Sequence, residues 1–403
     1  MSPLRVSEWR KLPLSLTELC IETTLRCGQS FRWRKINDEW NCALAGRLLS
    51  LKQDESYLHY KVTWPNNKTG RHRSAPLPKE TPDVDAQPSD DTEALLKHYF
   101  NLDHDLTALY GQWSELDANF KKKAPKFTGI RILRQDAWET IITFICSSNN
   151  HISRITNMVN QLCVHYGPLV GHVGDEAFHD IPPPDALTGK GVEAHLRELG
   201  FGYRAKYIAG SATMIATKNP AWWLDSLTNP KNPRWVPIPV PAQEEPITYE
   251  RAHKELLLLS GVGPKVADCI CLMGLGWSEA VPVDTHVWQI AQRDYHFGKS
   301  KSKTFSTVMY HSVGNHFRKL WGPYAGWAQS VLFTANLKSF AQQAAATPTA
   351  TSVTVEVKQE IEESSPIITK RRRRVTTSEP VKVEHDIPSD TKPVDRKKRK
   401  TRR

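Results

Sequence analysis

Between residues 12 and 63 apolar and polar positions alternate in short runs. Gly28-Gln-Ser-Phe-Arg-Trp-Arg, Trp40-Asn-Cys-Ala-Leu and Tyr57-Leu-His-Tyr-Lys-Val carry this period of two, with turn formers at Asn37-Asp38 and Gly46 between them. The pattern predicts a meander of short antiparallel strands with one face packed. Residues 65–92 are polar and rich in proline, which predicts a flexible insertion. Beyond it the apolar spacing becomes helical. Segments with that spacing run Asp91–Phe100, Asp105–Trp113, Ala137–Cys146, Ile152–His165, Glu193–Leu199 and Arg204–Ala216. They resume at Thr248–Leu259, Pro264–Leu275, Thr285–Tyr295, Thr304–Trp321 and Pro323–Phe340. The proline-rich stretch 228–247 interrupts the series and predicts an irregular excursion.

From residue 342 aromatic residues vanish and Ala, Thr, Ser, Pro and charges dominate, the composition of a disordered tail. The expected class is α+β. A β-sheet domain is expected over 1–115, a mostly helical domain over 116–341 and a basic tail over 342–403.

Charge points to a polyanionic partner. The chain carries a net charge of +11, and the stretch Ala344–Arg403 supplies +6 of it, with 15 Lys and Arg against 9 Asp and Glu. The body is therefore only mildly basic. Seven cysteines, an odd number without a CxxC pair, imply a reduced protein with neither a disulfide framework nor a zinc site. No apolar run is long enough to cross a bilayer, and neither a secretory h-region nor a transit peptide is indicated.

The chemistry concentrates in Leu256-Leu-Leu-Leu-Ser-Gly-Val-Gly-Pro-Lys-Val-Ala-Asp-Cys-Ile-Cys. A helix ends at Leu259, Gly261 and Gly263 form a tight hairpin, and Pro264 opens the next helix, where its missing N–H costs little. The exposed N–H groups of such a hairpin suit a DNA phosphate, although a turn between two core helices has the same signature. Lys265 lies in the first turn, where the helix dipole disfavours an ammonium, and a neutral amine there is a nucleophile able to form a Schiff base. A phosphate-binding surface lysine is the alternative. Further along, Val281-Pro-Val-Asp-Thr-His-Val-Trp makes Asp284 the N-cap of the following helix. Its carboxylate, kept ionised by backbone N–H donors, would stabilise oxocarbenium-like charge, or else serve only as a cap.

Hairpin, Gly-Pro turn and capping Asp together resemble the HhH-GPD superfamily of DNA glycosylases, and more narrowly its eukaryotic-type 8-oxoguanine glycosylase/AP lyase branch. Gly28-Gln-Ser-Phe-Arg-Trp, Cys146-Ser-Ser-Asn-Asn, Leu199-Gly-Phe-Gly-Tyr-Arg-Ala and Trp321-Gly-Pro-Tyr-Ala-Gly-Trp-Ala-Gln add to the resemblance, which spans roughly residues 10–340. It implies that Lys265 attacks the anomeric carbon and that Asp284 stabilises the charge. Gly28, Gln329, Phe333 and Cys269 would hold the flipped base, the Gly28 carbonyl accepting from the N7 hydrogen that 8-oxoguanine has and guanine lacks. Taken alone, Phe333 reads equally as helix core and Cys269 as a small buried hydrophobe. Asn149, Arg154 and Arg204 would read the estranged cytosine and Tyr203 would wedge into the vacated stack. By themselves they are also compatible with a helix cap and surface cations. His286 would contact a phosphate.

Two features depart from the family pattern: His151 stands where a third Asn is expected, and the excursion at 228–247 is longer. No cysteine follows Cys271, which excludes the four-cysteine iron–sulfur cluster of some branches, so no cofactor is expected. Lys265 disfavours the alkylbase branch. The implied substrate is double-stranded DNA with 8-oxoguanine opposite cytosine, formamidopyrimidine guanine being a related lesion. The chain is expected to act as a monomer, away from membranes. Two other readings stay open, a DNA-binding protein without catalysis and an enzyme of different lesion range. In the tail, Lys370-Arg-Arg-Arg-Arg and Arg396-Lys-Lys-Arg-Lys-Thr-Arg-Arg suit nuclear import or nonspecific DNA attachment, with a mitochondrial pool left open. Val357-Lys-Gln-Glu and Val381-Lys-Val-Glu match the short pattern for SUMO attachment at Lys358 and Lys382.

Overall fold

Alternation along the early strands sorts their side chains between two faces of a sheet. The computed structural model describes residues 5–65, 90–298, 306–337 and 339–340. Most of the 65–92 insertion and the whole of the 342–403 tail, with its basic clusters and SUMO-like motifs, lie outside the described residues.

The sheet is antiparallel. It comprises β1 (Arg5–Val6), β2 (Arg10–Pro13), β3 (Arg34–Ile36), β4 (Glu39–Leu44), β5 (Arg47–Gln53) and β6 (Tyr57–Trp64). β3, β4, β5 and β6 pair in sequence order, and β1 and β2 both lie along β6. On one face Trp40, Cys42, Leu49, Leu51, Leu58, Tyr60 and Val62 pack with Leu96, Tyr99 and Phe100. On the other, Ala43 and Leu48 meet Val170 and Phe178 of a hairpin formed by β7 (Leu169–Val173) and β8 (Glu176–His179).

Helices build the rest. α1 (Ile21–Thr24) precedes β3, and α2 (Thr92–Tyr99), α3 (Leu106–Leu116) and α4 (Ala118–Lys123) follow the sheet. α5 (Ala137–Ser147), α6 (Ile152–Tyr166), α7 (Val192–Glu198), α8 (Arg204–Thr213) and α9 (Trp223–Ser226) continue the chain. Last come α10 (Tyr249–Leu256), α11 (Pro264–Cys269), α12 (Thr285–Tyr295), α13 (Thr307–Trp321) and α14 (Ala325–Asn336). Their apolar faces share one core centred on α5, α11 and α14, with Ile141, Ile142, Ala267, Ile270, Ala328 and Val331 essentially inaccessible. No described helix is long and apolar enough to cross a membrane.

Two expectations need correction. Residues 28–33 form no strand. Gln29, Ser30, Phe31, Arg32 and Trp33 are all buried, so the alternation has no solvent face to follow. Side chains hold this segment instead. Arg32 donates Nε and Nη2 to Glu139 at 2.8 and 2.7 Å, and Nη1 to Asp180 at 3.1 Å, and Gln29 bonds the carbonyl of Arg131 at 2.8 Å. The expected helix Pro264–Leu275 is also not regular throughout: after Cys269 it widens, and the Leu275 N–H reaches back five residues to the Ile270 carbonyl at 2.9 Å.

Candidate active site

The hairpin between α10 and α11 depends on glycine at one position. Gly261 has φ +80°, and a Cβ there would lie 2.5 Å from the Tyr207 side chain. Gly263 is different: its backbone is extended, at φ −97° and ψ 179°, and nothing lies within 4 Å of where its Cβ would be. The hairpin therefore packs tightly against α8 at Gly261 and stays open at Gly263. The Ser211 hydroxyl seals the same junction by donating to the Ser260 carbonyl at 2.8 Å.

Lys265 emerges one residue into α11 and is half-buried. Its Nζ donates to the Ser147 hydroxyl at 3.3 Å and stands 4.9 Å from the centroid of Phe144. One turn on, Cys269 is buried, and burial pushes its thiol up to about 11, with Lys265 pulling it down and Asp284 pushing it up. Both the amine and the carboxylate thus act electrostatically on the thiol. Asp284 is half-buried and caps α12 by accepting from the Val287 N–H at 2.9 Å. One carboxylate oxygen is thus committed to the cap.

The neighbourhood closes into a ring. The exposed ring of His286 meets Phe333 of α14 edge-on, with centroids 5.8 Å apart. Phe333 packs beside Cys27, Leu337 and Phe340. Cys27 leads into Gly28, which has φ +86° and faces Ile152 at the start of α6. The loop before Ile152 returns to Ser147, and so to Lys265. Two polar groups expected in this pocket are unpaired. Gln329 is only 6% exposed, yet its side-chain amide has no hydrogen-bond partner among the described residues. The Gly28 carbonyl oxygen likewise accepts no hydrogen bond among them. Gly28 is half-buried and the Gln329 amide is not sealed from solvent, so both groups are open to a ligand.

Beside this ring lies the loop 148–151. Asn149 is exposed and left-handed, with φ 49°. Tyr203, 49% exposed, donates its hydroxyl to the Ser148 carbonyl at 3.1 Å. Arg154 is exposed on α6 and reaches the Gly200 carbonyl at a long 3.5 Å. Arg204, by contrast, is 3% exposed, and its guanidinium braces the Ser148 and Asn149 carbonyls rather than facing solvent. Its Nε is buried without a partner among the described residues. His151 takes up the N-cap of α6, its Nδ1 accepting from the Arg154 N–H at 3.4 Å. The departure from Asn therefore keeps a capping acceptor.

Sequence reasoning missed Phe144 and Ser147, which hold the Lys265 amine. Both sit in a mostly buried helix that reads as plain core, and the only hint was Cys146-Ser-Ser-Asn-Asn, which contains Ser147 and follows Phe144 closely. All seven cysteines are free, and no group of three or more His, Cys, Asp or Glu among the described residues is arranged to hold a metal.

Two family models match the chain. The N-terminal domain of 8-oxoguanine DNA glycosylase matches residues 11–141, and the HhH-GPD superfamily of base excision DNA repair proteins matches residues 142–310. An N-glycosylase/DNA lyase of Saccharomyces cerevisiae is 38% identical over 351 residues, covering 80% of this chain and 85% of that protein. An N-glycosylase/DNA lyase of Arabidopsis thaliana is 35% identical over 338 residues, covering 82% and 80%. Among solved structures, the apo form of Clostridium acetobutylicum 8-oxoguanine glycosylase/lyase superposes with a TM-score of 0.62 at 23% identity, covering 82% of this chain and 98% of that one. The same enzyme with double-stranded DNA containing cytosine opposite 8-oxoguanine gives 0.60, also at 23%, covering 79% and 91%. A 3-methyladenine DNA glycosylase of Archaeoglobus fulgidus gives 0.56 at 16% identity, covering 81% and 98%, so the fold is shared across lesion types.

Proposed function

The chain belongs to the N-glycosylase/DNA lyase family of the HhH-GPD superfamily, and from that premise we propose that it excises 8-oxoguanine opposite cytosine from double-stranded DNA and then nicks the strand. Formamidopyrimidine guanine is included as a related substrate. The observation that carries this reading is the Lys265 amine in the first turn of α11, held by the Ser147 hydroxyl at 3.3 Å, one turn before the buried Cys269.

The damaged base leaves the stack at a cost of a few kcal/mol and enters the ring of residues described above. Phe333 and Cys269 sandwich it. The unpaired Gly28 carbonyl accepts the N7 hydrogen, and the unpaired Gln329 amide meets the Watson–Crick edge. Guanine presents an acceptor at N7, so two lone pairs would face each other; that repulsion is the discrimination. The Lys265 amine attacks the anomeric carbon, and the glycosidic electron pair departs with the base, which takes up a proton. Asp284 stabilises the positive charge that grows on the sugar. The resulting N,O-acetal opens to an imine as the ring oxygen leaves the anomeric carbon and becomes a hydroxyl, a proton leaves the adjacent sugar carbon, and elimination expels the 3′ phosphate. Tyr203 fills the gap in the stack. Asn149 and Arg154 meet the estranged cytosine, with Arg204 fixing the backbone of that loop. His286 and the N–H groups around Gly261 and Gly263 hold phosphates. The protein needs no cofactor, acts as a monomer, and reaches the nucleus through its basic tail clusters.

Borohydride reduction on a duplex with one 8-oxoguanine tests the central step. The wild type is expected to form a covalent adduct and Lys265→Gln none. An undiminished adduct with Lys265→Gln would sink the assignment. Replacing the opposite cytosine should slow excision, and equal rates for all four partners would remove the cytosine readers from the proposal.

A further inference from the structure

A helix leaves its last carbonyls without helical partners, and at the end of α5 side chains supply them. The Ser147 hydroxyl donates to the Phe144 carbonyl at 2.7 Å, and the Asn150 amide donates to the Cys146 carbonyl at 2.9 Å. The Ser148 carbonyl accepts twice, from the Tyr203 hydroxyl at 3.1 Å and from the Arg204 guanidinium. The same Arg204 nitrogen reaches the Asn149 carbonyl at 3.2 Å. The end of α5 is thus tied to the start of α8.

Three consecutive residues carry three different contacts here. The hydroxyl hydrogen of Ser147 is committed to Phe144, so a lone pair of the same oxygen faces the Lys265 amine, 3.3 Å away. Ser148 offers its carbonyl to Tyr203 and Arg204. Asn149, exposed and left-handed, is the residue assigned above to the opposite base. The two donors to Ser148 are not equivalent. Arg204 is 3% exposed and fixed within the protein, whereas Tyr203 is 49% exposed. The Arg204 guanidinium lies over the Tyr203 ring, 4.6 Å from its centroid, and Tyr207 meets that ring edge-on. The hydroxyl and these contacts fix the orientation of the ring before DNA arrives.

We propose that the Tyr203 hydroxyl is a positioning group for the nucleophile. Through the Ser148 carbonyl it sets where the adjacent Ser147 holds the Lys265 amine, so that filling of the vacated stack is felt at the reacting atom. This rests on the lyase reading of Lys265. Ser147 and Ser148 are neighbours in the chain, so a displacement of one carries to the other, and near-attack geometry is sensitive to displacements of about 1 Å. The ring and its oxygen therefore have separate duties: the ring fills the stack, and the oxygen acts on the chemical step.

The test uses the full chain on a duplex with one 8-oxoguanine opposite cytosine. Tyr203→Phe keeps the ring and removes the oxygen. It is expected to slow single-turnover excision and borohydride trapping about fivefold, with affinity for a duplex bearing an uncleavable abasic analogue within about twofold of wild type. Ser147→Ala cuts the link at its other end and should slow both by at least about as much, and Ser147→Thr, which keeps the hydroxyl, should recover most of the loss. The double variant Tyr203→Phe/Ser147→Ala is decisive. If the phenol acts through Ser147, it is no slower than Ser147→Ala within about twofold. Two losses that multiply would mean independent effects and overturn the proposal. So would a wild-type rate in Tyr203→Phe, an affinity loss equal to its rate loss, or a Ser147→Thr as slow as Ser147→Ala. Failure of the wild-type chain itself to excise would instead overturn the function proposed above, which separates the two outcomes.

Discussion

At the scale of single residues, the two hairpin glycines look alike in sequence and differ in physics. Gly261 needs a left-handed backbone and sits against Tyr207. Gly261→Ala is expected to cost about 2 kcal/mol or more, lowering the melting temperature and loosening Tyr207, against which Tyr203 leans with ring centroids 5.8 Å apart. Gly263 has open space and an ordinary extended backbone. Gly263→Ala should melt like wild type yet lose several-fold affinity for duplex, because its methyl stands where a phosphate would approach the N–H groups. Calorimetry and a binding titration on both variants check this, and wild-type binding by Gly263→Ala would remove the hairpin from the DNA interface. Much at this scale was legible from sequence. Asp284 as a cap followed from its place before a periodic segment, and Lys265 from the Gly-Pro hairpin. The burial of Arg204 was not legible, because an arginine at a helix start looks the same whether it faces solvent or braces two carbonyls.

At the scale of elements, the helices were legible because an amphipathic period survives in the chain wherever one face meets solvent. The failures fall where that condition fails. Residues 29–33 are all buried, and their conformation is set by Arg32 with Glu139 and Asp180, partners 107 and 148 residues away. The hairpin of β7 and β8 was overlooked although Gly174-Asp175 between its strands is a two-residue turn signal, because the strands are only five and four residues long. The excursion 228–247 was legible as irregular, but its docking was not. Trp235 packs against His98 of α2, with ring centroids 5.5 Å apart, and Arg234 pairs with Asp225 and Asp136 at 3.0 and 3.1 Å. Burial, reinforced by Arg134, pushes His98 down to about 4 from 6.5. The folded state therefore refuses a proton that the unfolded chain accepts. Stability is complete above about pH 6.5 and is lost as pH falls toward 4. After screening by solvent the loss at this site is on the order of 1 kcal/mol. Urea midpoints should fall between pH 7.5 and 5, and His98→Gln should flatten that slope. An equal slope in the variant would show that other groups govern the acid response.

For the whole molecule the decisive quantity is the distribution of charge. The net +11 is weighted toward a region without a single aromatic residue after Phe340. Twelve cations fall in two blocks, 370–374 and 396–403. Lacking aromatic faces, these blocks can contribute only the electrostatic part of nucleic-acid binding, which is independent of sequence and steep in salt. In the proposed function the residues around Lys265 carry the recognition and the chemistry, so the two contributions separate experimentally. Replacing all twelve cations by Gln in the full chain should reduce the slope of log affinity for undamaged duplex against log salt, by about 0.9 for each phosphate that is no longer neutralised. Excision from a short lesion duplex at low salt and saturating enzyme should be unchanged, because the lesion pocket is intact. The advantage of the native tail should appear on long DNA at physiological salt, where undamaged sites vastly outnumber lesions and the time spent near DNA limits the search. An unchanged salt slope would assign the blocks to nuclear import alone, and a lower rate at saturation would mean the tail takes part in the pocket.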